Sequence, residues 1–123
     1  MKTPEVVQLS GCTASVLLVL EDYFVVANCG DSPIIIFRQH NHIFRGEQIS
    51  MDHKPDQEEE RNRILASNGL LEQYESAITG KKIGPMRVWS KHIHQPGLAM
   101  SRSLGDGLAK TCGVISTPTV RVI

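Results

Sequence analysis

The sequence predicts an α+β fold in which antiparallel strands come first, a helix follows, and further strands close the chain. Three observations carry this. Residues 13–20, 23–29, 33–38 and 42–50 form four short runs rich in β-branched and apolar side chains, the signature of strands rather than of helices. The breaks between them are only a few residues long, which suits a meander of antiparallel neighbours. After Pro55 the pattern gives way to one that only a helix satisfies. At 123 residues the chain has the length of one domain, and 41% hydrophobic residues suffice to bury a core.

The first run, residues 13–20, is broken by Glu21-Asp22, and residues 23–29 resume with the same character, so the two pair. Residues 30–33 read Gly-Asp-Ser-Pro, which is turn chemistry, because Pro33 fixes its own φ near the value that turns want. Asp31 is then either a plain turn residue or a carboxylate presented at the rim of a sheet, where a hard cation or a phosphate could be met. Residues 33–38 make the third strand, Gln39 to Asn41 a turn, and residues 42–50 a fourth strand whose alternation marks it as an edge. Near-continuous apolarity in the first three implies cover on both faces, by a second sheet or by helices.

The helix after Pro55 is expected to start at an Asp56 N-cap, with Glu59 three residues on completing a capping box. Glu58, Glu59 and Glu60 precede Arg61 and Arg63, the order that a helix dipole favours, so the acidic run reads as structural. Ile64 and Leu65 supply an apolar patch, and Asn68-Gly69 can end the helix with a residue free to take positive φ. Residues 72–95 lose any clean period and read as a long surface excursion, either functional or a plain insertion. Gly80-Lys81 lacks the earlier glycine of a phosphate-binding P-loop. Residues 97–106 then form a buried strand that turns abruptly through Ser-Arg-Ser and ends in Gly-Asp, again placing polar groups at a sheet end.

Charge bears on the choice of partner. Formal net charge is zero and no Lys/Arg run exceeds two residues, which argues against nucleic acid and against an anionic membrane surface. The longest apolar stretch, around residues 16–20, falls far short of the roughly twenty residues that a membrane span needs. The N-terminus lacks the pattern of a secretory signal, so the expected location is the cytoplasm or the nucleus. Cys12, Cys29 and Cys112 are odd in number and widely spaced, which suits a reducing compartment and buried, inert thiols. His40/His42 and His92/His94 are His-x-His pairs that could share a strand face, but no cysteine or carboxylate beside either completes a zinc shell.

Five motifs stand in order: Ser10-Gly11-Cys12-Thr13-Ala14, Ala27-Asn28-Cys29-Gly30-Asp31-Ser32, Asp52-His53-Lys54-Pro55, Glu60 to Ile64, and Leu98 to Asp106, before a Gly113-Val114 to Pro118 close. That series resembles the PPM family, the metal-dependent type 2C protein serine/threonine phosphatases. The resemblance runs from Ser10 to Val122. It implies an antiparallel β-sandwich flanked by helices, present here only in part, so that residues 1–123 are a partial phosphatase domain whose N- and C-terminal portions are missing. It further implies Mn2+ or Mg2+ at one end of the sandwich, phosphorylated proteins as substrates, and hydrolysis of phosphoserine or phosphothreonine by a metal-activated water.

By the same resemblance Asp31 matches the ligand of an additional, weaker metal site, and Ser32 lies in the same turn as site support. Arg102 and Asp106 match a support element beneath the site; an internal ion pair fixing the strand turn is the alternative reading. The segment of about residues 70–97 matches a flap bordering the substrate groove, with no substrate contact assigned. Two departures stand out: Pro33 replaces the usual Arg, and Cys12 the usual small hydroxyl residue. The upstream Asp-Gly-His-Gly-Gly and the downstream Asp-Gly-x-x-Asp and Asp-Asn motifs of the two-metal centre do not occur, so no catalytic residue is assigned in this chain. A catalytically inactive phosphoprotein-binding relative of the same fold is the alternative, and the oligomeric state is not indicated.

Overall fold

The computed structural model describes residues 5–123. A short helix α1 (Glu5–Leu9) is followed by β1 (Gly11–Cys12), β2 (Ala14–Val19), β3 (Phe24–Cys29), β4 (Ile35–His40) and β5 (Ile43–Gln48). Helix α2 (Glu58–Ala66) leads into β6 (Gly69–Glu75), β7 (Lys82–Ser90) and β8 (Pro96–Leu98). The chain closes with β9 (Leu104–Gly105), α3 (Gly107–Lys110) and β10 (Thr119–Val122). Antiparallel strands with a few helices are what the sequence predicts, and all named strand pairs are antiparallel.

The strands do not form one meander. The β2 and β3 strands pair as expected, but their ladder ends at Ala14 and Cys29, and among the described residues β4 pairs only with β5, in a separate hairpin. Gly30, the residue after Cys29, takes φ 107° and turns the chain out of the sheet there. The free edge of β3 is taken instead by β10 from the far end of the chain, with Thr119 opposite Asn28 and Val122 opposite Val25. At the tip of the β4–β5 hairpin the turn residues are Asn41 and His42, both at positive φ (49° and 65°), a geometry in which the loop's twist matches that of its strands.

Residues 72–95 are not an irregular excursion. Strands β6, β7 and β8 form a three-stranded sheet in that order, with Leu71 opposite Val88 and Val88 opposite Leu98. The sequence hides this because the ladder is interrupted between Glu72 and Tyr74 and again between Val88 and Trp89, which resets the alternation a strand reading depends on. Trp89 closes the sheet's outer end: it stacks on His94 (4.5 Å between centroids), meets Tyr74 edge-on (5.4 Å) and donates Nε1–H to the Glu72 carbonyl (3.1 Å).

The buried core lies where this sheet meets the helices. Ile64 of α2, Val88 of β7, Ala109 of α3, and Cys112 and Val114 after it are all essentially inaccessible, with Leu71 and Leu98 packed against them. The β10–β3–β2 sheet is different. Val16, Leu18, Val120 and Val122 share one face by register and are each more than half exposed, so the cover expected for these strands is not supplied by the described residues.

Candidate functional site

The Gly-Asp-Ser turn sits at the end of β3 and is fixed from both sides. Gly30 takes φ 107°, which a side chain would resist. Its N–H donates to His53 Nδ1 (3.1 Å) and its carbonyl accepts from the His53 N–H (2.9 Å) and from Asn28 Nδ2 (3.1 Å). On the other side the Ser32 hydroxyl lies 2.7 Å from Thr13 Oγ1, and the Ser32 carbonyl accepts from Ser15 Oγ (2.6 Å). Asp31, between them, is a quarter exposed, and its Oδ2 forms an ion pair with the Lys54 ammonium.

His53 is fully buried and ties three segments together. Because Nδ1 accepts from Gly30, the ring proton sits on Nε2 and donates to Thr119 Oγ1 (2.8 Å), while the His53 carbonyl accepts from Ser101 N–H (3.0 Å). Burial, aided by the Arg102 charge, pushes the imidazole below its ordinary value, so the neutral form persists.

Beside it lies a buried charge cluster that the sequence reading misses. Glu60 points inward with its side chain 3% exposed and accepts from Arg63 Nη1 (2.9 Å) and Nη2 (2.6 Å), from Arg102 Nη2 (2.6 Å) and from Ser101 Oγ (2.5 Å). Burial alone would raise this carboxyl, but the hydrogen bonds from Arg63, Arg102 and Ser101 outweigh it and hold the group well below the usual carboxylate range. Arg102 in turn is pushed up by its bond to Glu60 and also donates to the Thr117 carbonyl (3.0 Å). The signals were in the sequence: Glu60 and Arg63 lie at i, i+3 on one helix face, and Ser101-Arg102 is the abrupt turn after the strand.

The helix start is a correction. The N-cap of α2 is Gln57, not Asp56, and it makes no side-chain capping bond; the Gln57 amide instead donates to the Asp52 carbonyl (2.8 Å). The Asp52-to-Pro55 loop, rather than a capping box, sets the entry of the helix. Asp106 is also not Arg102's partner, so the internal ion pair is made with Glu60. Asp106 is buried, begins α3 at φ 50°, and its Oδ2 has no hydrogen-bond partner among the described residues. It lies against Gly11, where an added Cβ would stand 2.0 Å from that oxygen. Of the thiols, Cys29 and Cys112 are buried as expected, with burial raising the Cys29 thiol, whereas Cys12 is exposed.

All five sequence motifs therefore meet at one end of the β10–β3–β2 sheet: Thr13 against Ser32 of the Asp31 turn, His53 with Lys54, and Ser101-Arg102 with Glu60 behind them. The family model described as protein phosphatase 2C matches residues 2–123. This chain belongs to the protein phosphatase 2C family. It is 39% identical over 116 residues to the rice (Oryza sativa subsp. japonica) "Probable protein phosphatase 2C 48", covering 90% of this chain and 31% of that relative. It is also 39% identical to "Protein phosphatase 2C 16" of Arabidopsis thaliana, across 89% of this chain and 18% of that one. The solved serine-threonine phosphatase 2C of Toxoplasma gondii shares the fold at a TM-score of 0.74 and 24% identity, over 90% of this chain and 36% of that protein. The chain thus spans about a third or less of these relatives, and its fold is a partial phosphatase domain of this family.

A divalent-ion centre needs several convergent oxygen ligands. Among the described residues no group of three His, Cys, Asp or Glu side chains could hold a metal ion, and the Asp31 carboxylate is already engaged by Lys54. The residues of this chain do not by themselves fit such a centre. Among them, too, no helix is long and apolar enough to cross a membrane.

Proposed function

We propose that this chain is an internal portion of the catalytic domain of a Mn2+- or Mg2+-dependent protein serine/threonine phosphatase. The observation that supports the reading is the family match over residues 2–123, carried by relatives several times as long as the matched segment. In that reading the N- and C-terminal portions of the domain lie outside the 123 residues and supply the carboxylates of the metal centre. The bound ions would supply a water acidic enough to attack phosphorus. Substrates are phosphorylated proteins, and the site of action is the cytoplasm or the nucleus.

Within the domain this chain supplies framework. His53 and Ser32 hold the Asp31 turn, and Asp31 contributes to an accessory ion only together with ligands from outside these residues. Glu60 holds Arg102, which fixes the turn after Ser101, while Asp106 anchors α3 against Gly11. Residues 70–97, the β6–β7–β8 sheet, act as the flap beside the substrate groove.

The test is hydrolysis of a phosphothreonine peptide by the full-length protein. Activity that requires Mn2+ and is lost on chelation supports the reading, and the isolated 123-residue chain should show none. A folded full-length protein that binds Mn2+ yet hydrolyses neither the peptide nor an aryl phosphate would place it instead among inactive phosphoprotein-binding relatives.

A further inference from the structure

A cleft of about 460 Å3 opens on the β6–β7–β8 sheet, a volume within the range of sites that take a ligand group. It is bordered by the rings of Tyr74, Trp89 and His94 and by the charged groups of Glu72, Glu75 and Lys82. The irregular register assembles it. Regular alternation would send Glu72 and Glu75 to opposite faces, but the ladder is interrupted between Glu72 and Tyr74, and both acids border the same cleft. Its walls are fixed: Trp89 Nε1–H donates to the Glu72 carbonyl (3.1 Å), the Gln73 amide donates to the Gly84 carbonyl (2.6 Å), and His94 lies flat on the indole. Gly97 leaves room for that indole, since a Cβ there would stand 2.6 Å from it.

The charges around the cleft do not all find partners. Lys82 is matched by Glu75 (2.9 Å). Glu72 stands opposite Arg87 in the ladder, yet Arg87 lies over the Tyr74 ring (4.4 Å to its centroid) and gives Nη1–H to the Gly97 carbonyl (2.8 Å). Among the described residues Glu72 makes no ion pair. Tyr74 remains 45% exposed, and Arg87 shows that its ring accepts a guanidinium. We infer that the cleft is a subsite for a cationic side chain, arginine or lysine, of a bound peptide. Glu72 supplies the carboxylate and Tyr74 the ring face, two groups that a cation uses together and that a neutral or acidic side chain does not. Peptide binding stands apart from any hydrolysis; that the peptide is a stretch of phosphoprotein beside its phosphorylated residue rests on the proposed phosphatase reading.

The experiment is a ligand-observed NMR titration, suited to weak binding, of the full-length protein with short unphosphorylated peptides of Gly, Ser and Ala around one central arginine. The same peptide with citrulline, which keeps the shape without the charge, is the comparison. Wild type should prefer the arginine peptide roughly fivefold. E72Q should abolish most of that preference and Y74L should reduce it. E47Q, which neutralises an exposed acid on β5 far from the cleft in sequence, should leave it unchanged. Circular dichroism melting shows which variants fold, and E72A replaces E72Q if the latter does not. Equal affinity of wild type for the two peptides overturns the proposal, as does a preference that E72Q leaves intact or that E47Q lowers as much as E72Q does. The expected pattern in a protein without Mn2+-dependent phosphopeptide hydrolysis would sink the functional reading and leave the subsite standing; hydrolysis without the preference would sink the subsite alone.

Discussion

Replacing Glu60 by Gln removes the charge but keeps the shape, and so isolates what the buried cluster contributes. Glu60 is 3% exposed, Arg102 11% and Arg63 22%, so solvent screens these pairs weakly and a surface-pair discount is not warranted. In E60Q two guanidiniums keep their positions beside a neutral amide that can accept fewer of their bonds. Breaking a buried pair by removing one partner costs about 3–5 kcal/mol, because a desolvated charge is left uncompensated. We expect a loss of about 3 kcal/mol for E60Q in the full-length protein, measured by urea unfolding at pH 7. The pH dependence fixes the cause. The folded carboxyl is depressed relative to its ordinary value of 4.5, so its contribution is fully present above that pH and is lost as pH falls below it. The gap between wild type and E60Q should therefore close progressively below about pH 4.5. A loss under about 1 kcal/mol at pH 7, or a gap independent of pH, would refute the assignment of Glu60 as a charged hub.

Gly11→Ala should destabilise by about 2 kcal/mol, since the new Cβ would meet the Asp106 carboxylate at 2.0 Å and the Leu104 carbonyl at 2.6 Å; an unchanged melting temperature would show that Asp106 can swing away. Asp56→Ala should change stability by less than about 0.5 kcal/mol, because Gln57 occupies the cap position; a cost near 1 kcal/mol would restore Asp56 as the cap. The isolated 123-residue chain should bind a hydrophobic dye and associate, given the exposed Val16, Leu18, Val120 and Val122 face. Sharp, dispersed amide signals with strong exchange protection across residues 13–37 would contradict that.

What was legible in the sequence follows from how local each determinant is. The β2–β3 pair and the β4–β5 hairpin were readable because apolar runs and turn residues lie within a few positions of each other. The family motifs were readable because their order survives as a linear string. The β6–β7–β8 sheet was not, since its irregular register erases alternation, and neither was the β10–β3 pairing, which joins distant segments. At the site, Asp31 stood out as an acid between apolar runs, but its partner Lys54 lies over twenty residues away in a loop. Glu60 was read as one of three acids placed structurally at a helix start, in the order a helix dipole favours, and only the fold brings Ser101 and Arg102 onto it.

The place of β10 has a temporal consequence. Strand β3 is the middle of its sheet, yet one of its two neighbours is made of the last residues of the chain, some ninety positions after it, whereas β6, β7 and β8 find their partners within about thirty. A nascent chain leaving the ribosome can close the later, local sheet on α2 before the earlier strands are complete. The edge of β3 must then wait, open to other strands, until residues 119–122 emerge. The turn that carries Asp31, pinned through His53 to Thr119, can therefore reach its final form only once residues 119–122 have emerged.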